Sequence, residues 1–327
     1  MPSLKVGTAE VNSGSKGQGV IPVTNHPGGG RLDIPVLVVN GAQPGPTLWV
    51  DACIHGDEPE GTLAIHKVVA QLDPQTMKGA FVGVPAINVP AFEADQRGNP
   101  ADTFTYDMNR IYPGKPDGYL SERVAWAHAQ AMLAVADYEL SIHSGGAHSY
   151  LSETIFATED ASSIELAKAM GQGWGLILKS FLPKGSPMAA MGEKGKQGIT
   201  VELGGRSATM PEAFHHSAQV LAEACLNVMR HYHILPGEAT SEKSWKTGTQ
   251  RALLAGHAGL WVPEPTVKFQ EPMKAGAPLA RIYDLYGAEL EVVRAPCDGM
   301  IFGLRTLPTV QTGDWACFYA DISGVLE

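Results

Sequence analysis

Through the first three quarters of the chain, short apolar runs alternate with segments of helical spacing, and no other feature narrows the fold as much. The runs IPVLVVNG (34–41), PTLWVDACI (46–54), GAFVGVPAIN (79–88), YELSIHS (138–144) and GITVELGG (198–205) are punctuated by Gly, Pro or Asn. They are short, rich in β-branched residues and apolar at consecutive positions, the pattern of strands buried on both faces. Between them, EPEGTLAIHKVVAQL (58–72), SERVAWAHAQAMLAVA (121–136), SSIELAKAMGQGW (162–174) and PEAFHHSAQVLAEACLNVMRHY (211–232) carry apolar residues at helical intervals. Strands and helices in alternation predict an α/β fold, a sheet covered by helices on both faces.

The pattern stops at HYHILPGEATSEKSWKTGTQ (231–250), a polar, turn-rich stretch that places a boundary near residue 240. Residues 1–240 then form one large domain and 241–327 a smaller one, a division that suits a chain of 327 residues. Beyond the boundary only short strand-like pieces appear, GLWVPEP, APLARIYD, ELEVVRAP and GMIFGLR, joined by turns. They predict a small all-β module without helices.

Bulk properties exclude several partners. A formal net charge of -10 with no cluster of Lys or Arg argues against nucleic acid and anionic membrane. The four cysteines, Cys53, Cys225, Cys297 and Cys317, include no C-x-x-C pair and read as reduced core thiols. The first 19 residues lack an apolar signal core, and no run of about 18 apolar residues follows. A soluble, cytoplasmic protein is expected; self-association into a homo-oligomer stays open.

Three of the strand-like runs finish on an ionisable side chain followed closely by glycine: His55, His143 and Glu202. In open α/β sheets, ligands bind beyond the carboxyl ends of the strands, and glycine there lets the backbone turn or approach a ligand. His55 and Glu58 are three apart, a spacing that aims both at one point on a tight turn. Adding His143 makes a His, Glu, His set, a known catalytic zinc arrangement with one position open for water. Each residue also has a plainer reading. His55 and Glu58 fit a solvated turn, a lone His143 fits a hydrogen-bonded core histidine, and Glu202 fits an ion pair with an arginine.

Asp51, Asp57 and Glu60 are candidate partners for a ligating imidazole. His66, His128, His215 and His216 read as helix-surface residues, and nothing in the spacing of His148 demands contact with a substrate. The segment ADQRGNPADTFTYDMNRIYPG (94–114) is long for a loop and carries two cations, Arg97 and Arg110. The arginine fork suits a carboxylate or a developing oxyanion, though surface charge explains both equally well.

IHGDEPEG, MNRIYPG, IHSGG and VELGG, in this order, resemble the succinylglutamate desuccinylase/aspartoacylase family, a branch of the zinc carboxypeptidase superfamily. The similarity runs from RLDIPVLVVNG and PGPTLWV to the β module. The resemblance implies a zinc-carboxypeptidase-like mixed sheet covered by helices, followed by a small β domain of barrel-sandwich type. It further implies one Zn(2+) per chain on His55, Glu58 and His143, and Glu202 as general base and later acid. Arg97 would polarise the scissile carbonyl, and Asn109 and Arg110 would hold the substrate's carboxylate. The implied activity is hydrolysis of an N-acyl amino acid, with IHSGG closer to bacterial members that deacetylate N-acetylated diamino acids. A carboxypeptidase, a hydrolase of another small amide, and a non-catalytic metal-binding protein are the alternatives. A serine hydrolase fails for want of a G-x-S-x-G elbow. The β domain resembles a lipoyl or biotinyl carrier barrel, but APCDGMIFG (295–303) has no lysine. A lid, substrate-shaping or subunit-contact role is expected instead.

Overall fold

The computed structural model describes residues 3–179, 184–206 and 210–327. Strands β1 (Leu4–Val6) and β2 (Ala9–Val11) pair with each other and precede β3 (Ser15–Asn25), β4 (Arg31–Asn40) and β5 (Gln43–Ala52). There follow α1 (Glu60–Gln71), β6 (Lys78–Val84), the short α2 (Val89–Glu93), a 3-10 turn at Met108–Arg110, and α3 (Leu120–Val135). Next come β7 (Tyr138–His143), β8 (Ser149–Ala157), α4 (Ala161–Lys168), β9 (Leu176–Lys179), α5 (Pro187–Gly192), β10 (Gln197–Gly204) and α6 (Pro211–His231). From Trp245 the chain is strand and turn: β11 (Trp245–Leu254), β12 (Gly259–Pro263), β13 (Pro278–Tyr283), β14 (Glu289–Arg294), β15 (Met300–Arg305), β16 (Thr309–Val310) and β17 (Trp315–Leu326).

Eleven strands make one mixed sheet in the order β15-β17-β11-β9-β8-β10-β7-β5-β6-β4-β3. Its centre, β6-β5-β7-β10, is parallel. Strand β5 shows why the runs are apolar throughout. Leu48, Val50 and Ala52 enter one core with α1, α4 and α6, while Trp49, on the opposite face, enters a second core with α3 and α5. Each helix buries a stripe. Helix α1 buries Ala64, Ile65 and Val68 with His66 exposed; α6 buries Leu221, Cys225 and Val228 with His215 and His216 exposed.

His128 departs from the expectation of a surface residue, being fully buried. It lies one turn from Val124 and one from Met132 on the buried stripe of α3. Its Nε2 is 3.2 Å from Trp49 Nε1 and its Nδ1 3.0 Å from the Tyr112 hydroxyl. Burial depresses its pKa to about 3, leaving a neutral imidazole as the polar link between β5 and α3.

The all-β character beyond residue 240 holds in the structure, but the segment is not laid beside the sheet as a separate layer. Strand β11 pairs in parallel with β9, and β15 pairs with both β17 and β8. The ring β8-β9-β11-β17-β15 therefore closes on itself around Leu151, Phe156, Leu178, Phe302 and Phe318. A second sheet, β14-β13-β12-β16, packs outside it. Among the described residues, no helix is long and apolar enough to cross a membrane.

Candidate active site

The carboxyl ends of β5, β7 and β10 lie side by side, and the register sets Glu202 opposite His143. Strand β5 stops at Ala52, short of His55, because Cys53 turns the chain with φ of 50°. In the turn that follows, the Glu58 amide donates to the His55 carbonyl at 3.3 Å, which brings the two side chains to one side. Gly56 is required here: a Cβ would stand 2.0 Å from the Ala91 carbonyl carbon in α2. Gly56→Ala is expected to cost about 3 kcal/mol of stability, because backbone cannot step aside as a side chain can. An unchanged urea midpoint would show that the turn yields.

His55 Nδ1 lies 2.9 Å from Glu58 Oε1 and 3.2 Å from His143 Nδ1. His143 Nδ1 lies 2.9 Å from Glu58 Oε2. All three residues are buried, and one ligand atom from each falls within 4.8 Å of the others. Two imidazole nitrogens facing each other at this distance repel unless a proton or a cation lies between them. A divalent cation fits this N, N, O donor set, and among the described residues no other such group of His, Cys, Asp and Glu occurs.

A residue that sequence reasoning passed over orients the set. Asp107 Oδ1 lies 3.0 Å from His55 Nε2 and accepts the Asn109 amide at 2.9 Å. Its Oδ2 accepts Arg97 Nη2 at 2.8 Å and lies 3.5 Å from Arg110 Nη2. Burial alone would raise the Asp107 pKa, but the His55 hydrogen bond and the arginine charges outweigh it and hold the carboxyl far below its usual range. The same contest at Glu58, with both imidazoles as counter-charges, also ends low. Burial pulls both imidazoles toward neutrality; Glu58 and Asp107 reverse this at His55, whereas Glu58 alone does not at His143.

The other candidate partners serve elsewhere. Asp57 accepts the Ala147 amide at 3.0 Å, and Glu60 accepts the Gly205 amide at 2.7 Å, so both tie loops to the site. Asp51 accepts the Ser141 hydroxyl at 2.8 Å and Trp49 Nε1 at 3.1 Å, and burial pushes its pKa up to about 7.

His55, Glu58, Arg97, Asn109, Arg110, His143 and Glu202 all line one cavity of about 390 Å³. The 94–114 loop reaches it in ordered form, pinned by Asp102, which accepts the amides of Phe104, Thr105 and Ser121. Glu202 Oε2 and Asn109 Oδ1 are buried without a hydrogen-bond partner among the described residues. Burial and the Glu58 charge raise the Glu202 pKa well above the carboxylate range, against the pull of Arg97 and Arg110. Arg305, Trp315 and Phe318 complete the wall from the C-terminal segment. No periodic signal marked them.

A mixed sheet covered on both faces, a candidate site at its parallel strand ends and a C-terminal β domain define an α/β class whose fold is shared with a solved succinylglutamate desuccinylase. Residues 44–232 match the succinylglutamate desuccinylase/aspartoacylase catalytic domain, and the chain belongs to that family. It is 29% identical to the N-alpha-acetyl-L-2,4-diaminobutyric acid deacetylase of Halomonas elongata over 318 residues, covering 92% of this chain and 90% of that one. The product-bound ectoine utilization protein EutE (DoeB) from Ruegeria pomeroyi superposes with a TM-score of 0.83 at 26% identity, covering 95% and 97% of the two chains. A succinylglutamate desuccinylase from Silicibacter sp. TM1040 gives 0.82 at 24%, covering 94% and 95%.

Proposed function

We propose that the protein is a zinc-dependent deacylase that hydrolyses the amide bond of small N-acyl amino acids. The convergence of His55, Glu58 and His143 beside a Glu202 oxygen that has no partner among the described residues carries this reading. The name of the Halomonas relative supports it and favours an N-acetylated diamino acid. Residues 1–240 would carry the chemistry and 241–327 would shape the cavity. Free cysteines throughout suit the reducing cytoplasm.

His55 and His143 through Nδ1, with Glu58, would hold the zinc. Bound there, zinc supplies Lewis acidity and makes water a nucleophile near neutral pH. Glu202 takes the proton of the attacking water and passes it to the departing amine, so a carboxylic acid and a free amine result. Arg97 donates to the carbonyl oxygen as charge gathers there. Asn109 and Arg110 hold the substrate's carboxylate, a planar group that suits the arginine fork.

Purified protein with zinc is expected to release acetate from N-acetyl amino acids and to leave peptides with free C-termini intact. Peptide cleavage instead would move the assignment to a carboxypeptidase. Arg97→Met is expected to lower kcat by a factor on the order of 100, equivalent to about 3 kcal/mol of barrier, as for other single oxyanion donors. Asp107→Asn is expected to weaken zinc binding by about 10- to 100-fold in competition with a chelating dye, since His55 loses the charge that orients it. Unchanged affinity would remove Asp107 from that role.

A further inference from the structure

We propose that Trp315, carried by the C-terminal strand β17, is a positioning residue that holds the Arg97 guanidinium at the cavity; the catalytic consequence rests on the role given to Arg97 above. The guanidinium carbon lies 5.8 Å from the centre of the indole, within the range at which a cation is drawn to the electron-rich face. Arg97 also donates to Asp107 at 2.8 Å and lies 3.5 Å from Glu58, so both of its carboxylate contacts belong to the metal end of the cavity. The indole reaches it from the C-terminal segment.

Trp315 is 44% exposed, too open for its placement to be explained by burial. It packs edge-to-face with Phe318, with ring centres 5.1 Å apart. It is also fixed from behind. Arg305, with 7% of its side chain exposed, donates Nε to the Thr309 carbonyl at 2.8 Å and Nη1 to the Trp315 carbonyl at 3.4 Å, and its Nη2 pairs with Asp314 at 3.0 Å. One buried guanidinium thus ties the connection between β15 and β17 together and sets where β17 begins. The order of support runs from Arg305 through the connection to Trp315, and from Trp315 to an arginine on the 94–114 loop. In this way the β domain acts on the chemistry without supplying a reacting group.

Trp315→Leu is expected to lower kcat about tenfold with KM changed by less than about twofold, the signature of a lost orienting contact. Trp315→Phe, which restores an aromatic face, should recover most of the rate. A raised KM at unchanged kcat would make Trp315 a substrate contact and overturn the proposal, as would unchanged kinetics. A second readout needs no turnover. Arg97→Met should alter the tryptophan emission of the parent protein and leave that of Trp315→Phe unchanged; the same alteration in both backgrounds would refute the contact. Should the parent cleave no N-acyl amino acid yet pass the fluorescence test, the deacylase reading falls while the pairing of Trp315 with Arg97 stands.

Discussion

Glu202→Gln is expected to bind zinc as tightly as the parent and to lose turnover by about 10³-fold, within the range a positioned general base contributes. The substitution preserves the shape of the side chain and removes its capacity to accept a proton. Glu202 stands opposite His143 in the β7–β10 register and is not one of the three converging donors, so metal content should not move. Its buried Oε2 has no partner among the described residues, and burial together with Glu58 raises its affinity for a proton. Those are the properties of a group that stores a proton between attack and departure. Normal hydrolysis by the glutamine variant would remove Glu202 from the mechanism, and a parallel loss of metal would make it structural.

The second large effect concerns the metal. Dialysis against a strong chelator is expected to abolish turnover, with recovery on adding zinc back. It should also lower the melting temperature, because His55, Glu58 and His143 are buried with their donor atoms 2.9–3.2 Å apart and are left facing one another. A metal present at 1,000 times its Kd adds about 4 kcal/mol to folding stability, so the difference should be plain in a thermal scan. Activity that survives quantitative removal of metal would end the zinc reading.

Much of the candidate site was legible because its residues stand at punctuation points. A histidine or glutamate closing a buried run, with glycine close behind, stands out against the apolar residues before it, and His55, His143 and Glu202 each do so. Asp107 had no such contrast. It sits in a polar loop 52 residues from the imidazole it holds, and no period connects the two. Strand β8 escaped for a related reason. Its Ser149, Ser152 and Thr154 are buried between neighbouring strands and read as loop residues when only the apolar pattern is followed. His128 was legible in principle, since its helical spacing placed it on the stripe of Val124 and Met132, but its polarity suggested the surface.

Local order alone decided that this chain builds alternating strands and helices, where they break, and which side chains stand at the breaks. Those features depend on residues within a turn or two of one another. Strand order, the pairing of Glu202 with His143, the closure of the C-terminal strands onto β8 and β9, and the approach of Trp315 to Arg97 were decided only by the folded chain. Each joins segments far apart in the chain, and its free energy comes from a geometry that exists only once both segments have packed against the same core.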